Sequence, residues 1–264
     1  MNRDYAVKYR HLYLHHWWWR AREQAVVRVL REQLGHSRDE RILDIGCGDG
    51  LLFDQLAKFG HVQGVEVCGE LISRDNPWRD RIHVGPFDES FAPRGEFSVI
   101  LMLDVLEHMS DPCGALRHVH RLLAPDGFVL IHVPAFMSLW TSHDELNQHF
   151  TRYTQRSLRQ VLETASLRAQ RMQYTFYWTC PVKLAIRFKE WLFRTVPQPP
   201  AVPPRLVNAV CYQLCRLEQR LFGQRSPGFG TSILAVVKHG VRCEPIVLPR
   251  CETARTLQNS EVAG

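Results

Sequence analysis

One short segment, residues 41–50, constrains the fold of this chain more than any other part of its sequence. It reads RILDIGCGDG, so an apolar run suited to a buried strand leads directly into three glycines. The next residues, LLFDQLAKF, predict a helix over 51–59. Glycine lets a backbone turn sharply and approach a ligand closely, and the first N–H groups of a helix attract anions. The order strand, glycine turn, helix therefore predicts an α/β fold with a site for an adenosine-bearing cofactor.

Short apolar runs and helical stretches alternate along most of the chain. Before Pro134 they predict strands at 42–45, 62–67, 81–84, 97–103 and 128–133, and a second helix at 113–124. After Pro134 they predict helices at 157–165, 182–194 and 205–222, and strands at 167–176 and 231–238. Strands joined by helices form right-handed βαβ units, which stack into a parallel sheet covered on both faces. We therefore predict an α/β, Rossmann-like fold.

Composition and charge exclude several classes of protein. With 45% hydrophobic and 23% charged residues, the chain is neither collagen-like nor wholly disordered. The net charge of +6 permits an anionic partner without requiring one. None of the eight cysteines forms a C-x-x-C pair, and no apolar run reaches the ~18–20 residues of a spanning helix. The first residues lack the apolar core of a signal peptide, so we expect a reduced, cytoplasmic protein.

The spacing of the glycines narrows the choice of cofactor. It is G-x-G-x-G, unlike the G-x-G-x-x-G of dinucleotide-binding turns, and no phosphate loop of the G-x-x-x-x-G-K type is present. Asp44 precedes the first glycine, where its charge would repel a pyrophosphate but suit an ammonium group. Glu66 ends the second strand, where a carboxylate can accept hydrogen bonds from ribose hydroxyls. These features favour S-adenosylmethionine; the alternative is a tight turn beside an ordinary surface acid.

Four segments resemble the class I S-adenosylmethionine-dependent methyltransferases, specifically the bacterial type-11/type-23 group. They are RILDIGCGDG (41–50), LDVLEHMSDP (103–112), RLLAPDGFVLIHVPA (121–135) and DELNQHFTRYTQRSL (144–158). Residues 16–23 and 227–239 are similar to the ends of one subgroup. The resemblance implies a seven-stranded, mostly parallel sheet whose last strand, 231–238, runs antiparallel.

The same resemblance implies where the cofactor binds. The loop at 46–50 would hold the methionine part, Glu66 the ribose, and Leu103 and Asp104 would lie near the methionine end. The full predicted set is Asp44, Gly46, Cys47, Gly48, Gly50, Glu66, Val67, Phe87, Asp88, Leu103, Asp104 and His108. S-adenosyl-L-methionine would be the methyl donor and S-adenosyl-L-homocysteine the product.

Three positions depart from the pattern of that group. Pro86 stands where an acid usually contacts adenine, so Asp88 would take that role instead. Ser98 replaces an acid at the start of strand four, and Asp126 replaces a glycine. These departures keep a non-catalytic adenosyl-binding or scaffolding protein as the alternative function. A nicotinamide-dependent oxidoreductase is disfavoured by the glycine spacing.

Methyl transfer needs alignment of donor and acceptor and, for a hydroxyl acceptor, a group that takes the proton. The predicted catalytic residues are Asp104, His108, His149 and Tyr153, with His108 or His149 as general base. Asp104, Glu107 and His108 would share one side of a helical turn, where they would orient an acceptor or simply pack against loops. The resemblance to ubiquinone-pathway O-methyltransferases adds a divalent ion as an option, although we predict no metal ligands.

Two further groups of residues have an ordinary structural interpretation. His132 lies inside a strand run and is expected to be a core residue. The three tryptophans at 17–19 would cover the acceptor side or, more simply, pack an N-terminal helix on the core.

The expected partner is a small-molecule substrate, with a lipid- or sugar-linked acceptor as an option. The 182–194 helix carries Lys183, Arg187 and Glu190 on one stripe and apolar side chains on another. It would lie on a membrane surface or, as we prefer, pack as a lid with its basic stripe in solvent. Nucleic acid is disfavoured, because the motifs of DNA methyltransferases are missing after strand four. The oligomeric state stays open.

The sequence therefore predicts an S-adenosylmethionine-dependent methyltransferase, with O-methylation mildly favoured. Its expected parts are an N-terminal helical cap (1–35), a methyltransferase domain (36–240) with a helical insertion at about 177–228, and a loosely ordered tail (241–264).

Overall fold

The computed structural model describes residues 3–193, 200–222 and 227–240. The strands are β1 (Glu40–Ile45), β2 (Gly60–Glu66), β3 (Ile82–Val84), β4 (Phe97–Leu103), β5 (Leu123–Pro134), β6 (Leu167–Thr175) and β7 (Ser232–His239). The helices are α1 (Arg3–His15), α2 (Trp17–Leu34), α3 (Phe53–Leu56), α4 (Pro112–Leu122), α5 (Ser142–Leu146), α6 (Gln155–Thr164), α7 (Thr179–Phe193) and α8 (Arg205–Phe222).

The seven strands form a single sheet in the order β3-β2-β1-β4-β5-β7-β6. The first five in this order are parallel, whereas β7 runs antiparallel to both β5 and β6. The predicted fold class, with its antiparallel last strand, is confirmed. The carboxyl ends of β1, β2 and β4 meet at one edge, which brings together the segments that follow them.

Side chains alternate between two apolar layers, one on each face of the sheet. In β1, Ile42 packs in one layer and Leu43 in the other, and both are fully buried. Ile100 and Leu101 of β4 divide in the same way. Successive strand residues point to opposite faces, so a strand covered on both sides has to be apolar throughout. This explains the uninterrupted apolar run FSVILML in the sequence.

The helix after the glycine turn is shorter than predicted. The pattern predicted a helix over 51–59, but α3 covers only Phe53–Leu56. Phe53 and Leu56 are fully buried. After Leu56 the chain leaves the helix in a turn, and the backbone N–H of Glu40 in β1 donates to the Phe59 carbonyl. Pairing of β2 with β1 starts at Gly60, which leaves no room for a further helical turn.

The α7 helix has the orientation opposite to the one preferred from the sequence. Lys183 and Arg187 hydrogen-bond to the segment 137–141, and Glu190 accepts hydrogen bonds from Ser142. The apolar stripe is in solvent instead, with Phe188 61% and Trp191 74% exposed. The preferred lid with a solvated basic stripe is therefore wrong, because the carbonyl groups at 137–140 provide acceptors for Arg187.

The expected division into cap, domain and tail stays a prediction. Helices α7 and α8 do lie between β6 and β7 in chain order, within the span assigned to the insertion. Residues 241–264, the expected tail, lie outside the described residues. Among the helices of the described part, none has both the length and the apolar character needed to cross a membrane.

Candidate active site

The glycine turn connects β1 to α3 and needs its glycines for conformational reasons. Gly46, Gly48 and Gly50 have φ values of 70°, 56° and 63°, in the left-handed region that side chains disfavour. At Gly46 a Cβ atom would also lie 2.6 Å from Cγ2 of Val105. The turn thus presents bare backbone at the carboxyl edge of the sheet.

Glu66 faces this turn, as predicted for a ribose-binding acid. Its side chain accepts one hydrogen bond from the Gly48 N–H and another from the Cys68 N–H, each at 2.9 Å. The residue is only 6% exposed. Each carboxylate oxygen can accept more than one hydrogen bond, so Glu66 keeps capacity for a pair of hydroxyl donors.

Asp44 is a buried carboxylate with little compensation. It is 4% exposed, and the described residues make no hydrogen bond to its side chain. Burial raises the pKa of Asp44 to about 7; Arg22 opposes this shift and the charge of Glu66 adds to it. A ligand ammonium group beside Asp44 would offset the cost of the buried charge. The acidic pair Asp44 and Glu66 therefore fits an amino-acid-bearing nucleoside better than a pyrophosphate.

Helix α1 covers the glycine turn, which the sequence did not predict. The Tyr9 ring comes within 3.8 Å of the position that a Cβ on Gly48 would take. Arg10 forms an ion pair with Asp49, and Asp49 also accepts 2.9 Å hydrogen bonds from Ser73. No local sequence pattern predicts the contacts of Tyr9 and Arg10 with the turn, because they join residues about 40 positions apart.

Asp104 lies directly after β4, and its carboxylate is held by the side chains of Arg22 and His132. Arg22 of α2 donates to one carboxylate oxygen, and Nδ1 of His132 lies 2.8 Å from the other. Although burial alone would raise it, these partners hold the pKa of Asp104 well below its usual range. Its backbone is left-handed, with φ 58°, which is rare for a residue other than glycine.

His132 is therefore more than the ordinary core residue that we expected. It is 2% exposed and fixes Asp104 through Nδ1, while its Nε2 finds no partner among the described residues. The Trp18 ring lies 5.9 Å from His132 and 5.7 Å from Phe176, so this tryptophan packs over the Asp104 junction. Trp17 contacts Trp178 instead.

Glu107, His108 and His149 converge beside this junction. Glu107 is 1% exposed, and neither of its carboxylate oxygens has a partner in the described part of the chain. Burial, followed by the charge of Asp104, raises the pKa of Glu107 well above its usual value. The rings of His108 and His149 are perpendicular, with centroids 4.6 Å apart.

Asp144 fixes the orientation of His149. Asp144 is fully buried and lies 2.8 Å from Nδ1 of His149 and 2.7 Å from Nε of Arg152. Burial alone would raise the pKa of Asp144, but these two partners hold it well below its usual range. An ionised carboxylate can only accept, so Nδ1 carries the proton and Nε2 of the neutral ring is an acceptor. Asp144 begins the segment 144–158 that resembles the methyltransferases, but the sequence analysis gave it no role.

Tyr153 is less available than predicted for a catalytic residue. It is 3% exposed and donates to the Leu106 carbonyl at 3.3 Å. Burial, together with Glu107, raises its pKa, so the phenol stays protonated. Tyr153 supports the segment after β4 and is a weaker candidate for proton transfer than His149.

The remaining predicted cofactor residues differ in exposure and in their contacts. Cys47 and Leu103 are half-buried, whereas Val67 is 72% exposed. Asp88 is exposed and accepts hydrogen bonds from the backbone and hydroxyl of Ser90, which lower its pKa. Phe87 packs against Phe91 and His118. The predicted adenine role of Asp88 stays a prediction.

The donor set for a divalent ion differs from the one implied by resemblance. Asp104 does not fit as a ligand, because the cationic Arg22 already pairs with its carboxylate and would repel a divalent ion. Ligand atoms of Glu107, His108 and His149 do lie within 4.8 Å of one another. That spacing is compatible with a cation, but the buried carboxyl of Glu107 and Nε2 of His149 equally suit an acceptor hydroxyl.

Comparisons with known proteins agree with this geometry. The model of a family described as "Methyltransferase domain" matches residues 17–170. Two similar curated relatives are ubiquinone biosynthesis O-methyltransferases. The Ruegeria pomeroyi protein is 39% identical over 98 residues, 33% of this chain and 38% of that protein. The Caulobacter sp. (strain K31) protein is 34% identical over 121 residues, 42% of this chain and 48% of that protein.

The matched region spans less than two thirds of these relatives' length. Among solved structures, a SAM-dependent methyltransferase from Archaeoglobus fulgidus has the same fold. The two structures superpose with a TM-score of 0.51 at 17% sequence identity, and the superposition covers 82% of this chain and 94% of the Archaeoglobus protein. The fold, the glycine turn and a family match over more than half of the residues lead to one conclusion: the chain belongs to the family described as "Methyltransferase domain".

Proposed function

We propose that this protein is an S-adenosylmethionine-dependent O-methyltransferase that acts on the hydroxyl group of a small molecule. The observation that carries the proposal is the pair of buried carboxylates, Asp44 and Glu66, beside a glycine turn of left-handed backbone. The relatives named as O-methyltransferases support the choice of a hydroxyl acceptor.

In this proposal, the residues around the glycine turn bind the cofactor. Glu66 receives the ribose hydroxyls, Asp44 attracts the ammonium group, and the backbone of 46–50 lies along the methionine part. When bound, S-adenosylmethionine supplies a methyl carbon that its sulfonium makes electrophilic. Arg10 and Tyr9 hold α1 across the turn and limit access of water to it.

His149 is the proposed general base. Its Nε2 accepts the hydroxyl proton while the acceptor oxygen forms a bond to the methyl carbon and the carbon–sulfur bond breaks. Asp144 acts as a positioning residue, since it holds Nδ1 and stabilises the charged ring that results. Burial and His149 lower the pKa of His108, so this second ring is neutral and does not repel the charge formed. The raised pKa of Glu107 favours its protonated form, which would donate a hydrogen bond to the acceptor.

Transfer of a labelled methyl group tests this proposal directly. The purified chain would be incubated with methyl-labelled S-adenosylmethionine and a panel of catechols and quinols, chosen because the relatives are named for ubiquinone biosynthesis. We expect label in an ether product with the normal chain and a large loss with His149→Ala. Tight binding of S-adenosylhomocysteine without transfer to any hydroxyl would favour the non-catalytic alternative.

We also propose that α7 and α8 bring the protein to an anionic membrane surface. Their exposed apolar side chains are Val182, Leu184, Ile186, Phe188, Trp191, Leu192, Phe193, Leu206, Val207, Val210, Leu214, Leu217, Leu221 and Phe222. Residues 179–222 carry seven Lys and Arg against two Glu. Apolar and aromatic side chains within a basic segment favour binding to anionic lipid, which would suit a lipophilic acceptor.

Vesicle flotation tests the membrane proposal. We expect the chain to float with phosphatidylglycerol vesicles. The double variant Trp191→Ser with Phe188→Ser should float less, and its thermal stability should be unchanged because both side chains are exposed. Val84→Ser, a control at an exposed apolar position on β3, should float normally. Equal flotation of all three proteins would contradict a role for α7.

A further inference from the structure

A groove between α2 and α8 is lined mainly by arginines, and nothing in the methyl-transfer proposal uses it. It has a volume of about 540 Å³. Its side chains are Arg20, Glu23, Gln24, Val27, Arg28, Arg31, Gln55, Tyr212, Arg216, Gln219 and Arg220. Five guanidinium groups and a single carboxylate therefore share one concave surface.

Two arginines of the groove are arranged around an aromatic ring. The Cζ atom of Arg20 lies 4.4 Å from the centre of the Tyr212 ring, and that of Arg216 lies 5.9 Å from it. Stacking on a ring limits the motion of a guanidinium and leaves its N–H groups free at the edges. Both guanidinium groups therefore lie within 6 Å of one ring in the groove.

The arginines retain unused hydrogen-bonding capacity. The Nε atoms of Arg28 and Arg216 are buried and have no acceptor within the described residues. Arg28 donates through its Nη1 only to the Gln219 carbonyl, and its Nε lies 3.6 Å from Glu32. Burial lowers the pKa of Arg28, and the nearby charge of Arg171 adds to this effect while Glu32 opposes it. A bound anion would relieve the repulsion and accept from the free donors.

We propose that this groove is a binding site for a molecule that carries two or more phosphate charges. Planar guanidinium groups match phosphate oxygens in geometry, and five of them exceed what Glu23 in the groove and Glu32 beside Arg28 neutralise. The ligand is either a free phosphorylated molecule or the headgroup of an anionic lipid, which offer the same chemistry. The site lies outside the glycine turn and the His149 cluster, so it goes beyond the proposed methyl transfer.

Calorimetric titration of the full chain with inorganic pyrophosphate, and sedimentation with vesicles that contain cardiolipin, whose headgroup carries two phosphates, test this site. The groove variant is Arg31→Gln with Arg220→Gln, at two exposed positions. The matched control is Arg156→Gln with Arg159→Gln, which removes the same charge from the exposed face of α6. We expect the groove variant to weaken binding by about tenfold or more per arginine, as for hydrogen bonds to charged groups.

The two arms identify the source of the phosphate. Saturable pyrophosphate binding that only the groove variant loses supports a free phosphorylated ligand. Vesicle binding that only the groove variant loses, without pyrophosphate binding, supports a lipid headgroup. Absence of both kinds of binding, or binding that the groove variant and the control retain or lose equally, would overturn the proposal.

Discussion

The affinity for S-adenosylhomocysteine should rise with pH because Asp44 must ionise to hold its ammonium group. Burial raises the pKa of this carboxyl to about 7, so about 10% of it is ionised at pH 6 and about 75% at pH 7.5. If only the ionised form binds, the apparent dissociation constant equals the intrinsic one divided by that fraction. Binding should therefore tighten by about eightfold between these pH values.

Isothermal titration at several pH values, with the normal chain and with Asp44→Asn, measures this dependence. The variant cannot ionise at this position, so its affinity should be lower at pH 7.5 and nearly flat between pH 6 and 7.5. A flat profile for the normal chain, or the same slope in both proteins, would refute the role given to Asp44.

The stability of the unbound protein should change with pH in the opposite sense. The folded-state pKa of Asp44 is raised above its ordinary value, so folding favours the protonated carboxyl. This contribution to stability is present below about pH 4 and is lost as the pH rises through about 7. Urea unfolding should show the normal chain losing stability relative to Asp44→Asn across that window. A constant difference would mean that the carboxyl is not buried as described.

Three further outcomes follow from the site. Gly46→Ala should lower the unfolding free energy by at least ~1–2 kcal/mol, because the backbone at this position is left-handed and a Cβ atom would face Val105. Gly228→Ala, with open space around it, should not lower it, and equal unfolding curves for the two variants would contradict this. His149→Ala should reduce kcat by about 10²–10⁴ with unchanged affinity for S-adenosylhomocysteine, and retained turnover would exclude it as the base. Dialysis against a chelator should leave activity intact; loss that a divalent cation restores would instead assign the Glu107, His108 and His149 group to a metal.

Most of the sheet was predictable because each strand has a local signature. The strand FSVILML is apolar throughout since both of its faces are covered, and the structure gives it the predicted bounds, 97–103. The glycine turn and Glu66 were also predictable, because left-handed backbone and a carboxylate after β2 leave a pattern in the residues themselves.

The features that sequence reasoning missed depend on contacts between distant segments. The length of α3 is limited by pairing of Gly60 with β1, and the orientation of α7 is set by carbonyl groups of 137–140. The Arg22–Asp104 ion pair joins residues 82 positions apart. Periodicity shows that a helix has two faces, but the neighbour that it meets decides which face is buried.

The central claim is that the glycine turn, with Glu66 beside it, holds an adenosyl cofactor, and calorimetric titration with S-adenosylhomocysteine at pH 7.5 tests it most directly. The account predicts one binding site per chain, and an affinity reduced about tenfold or more in Glu66→Ala because the ribose hydroxyls lose a charged acceptor. No heat at high micromolar ligand, or unchanged affinity in the variant, would contradict it.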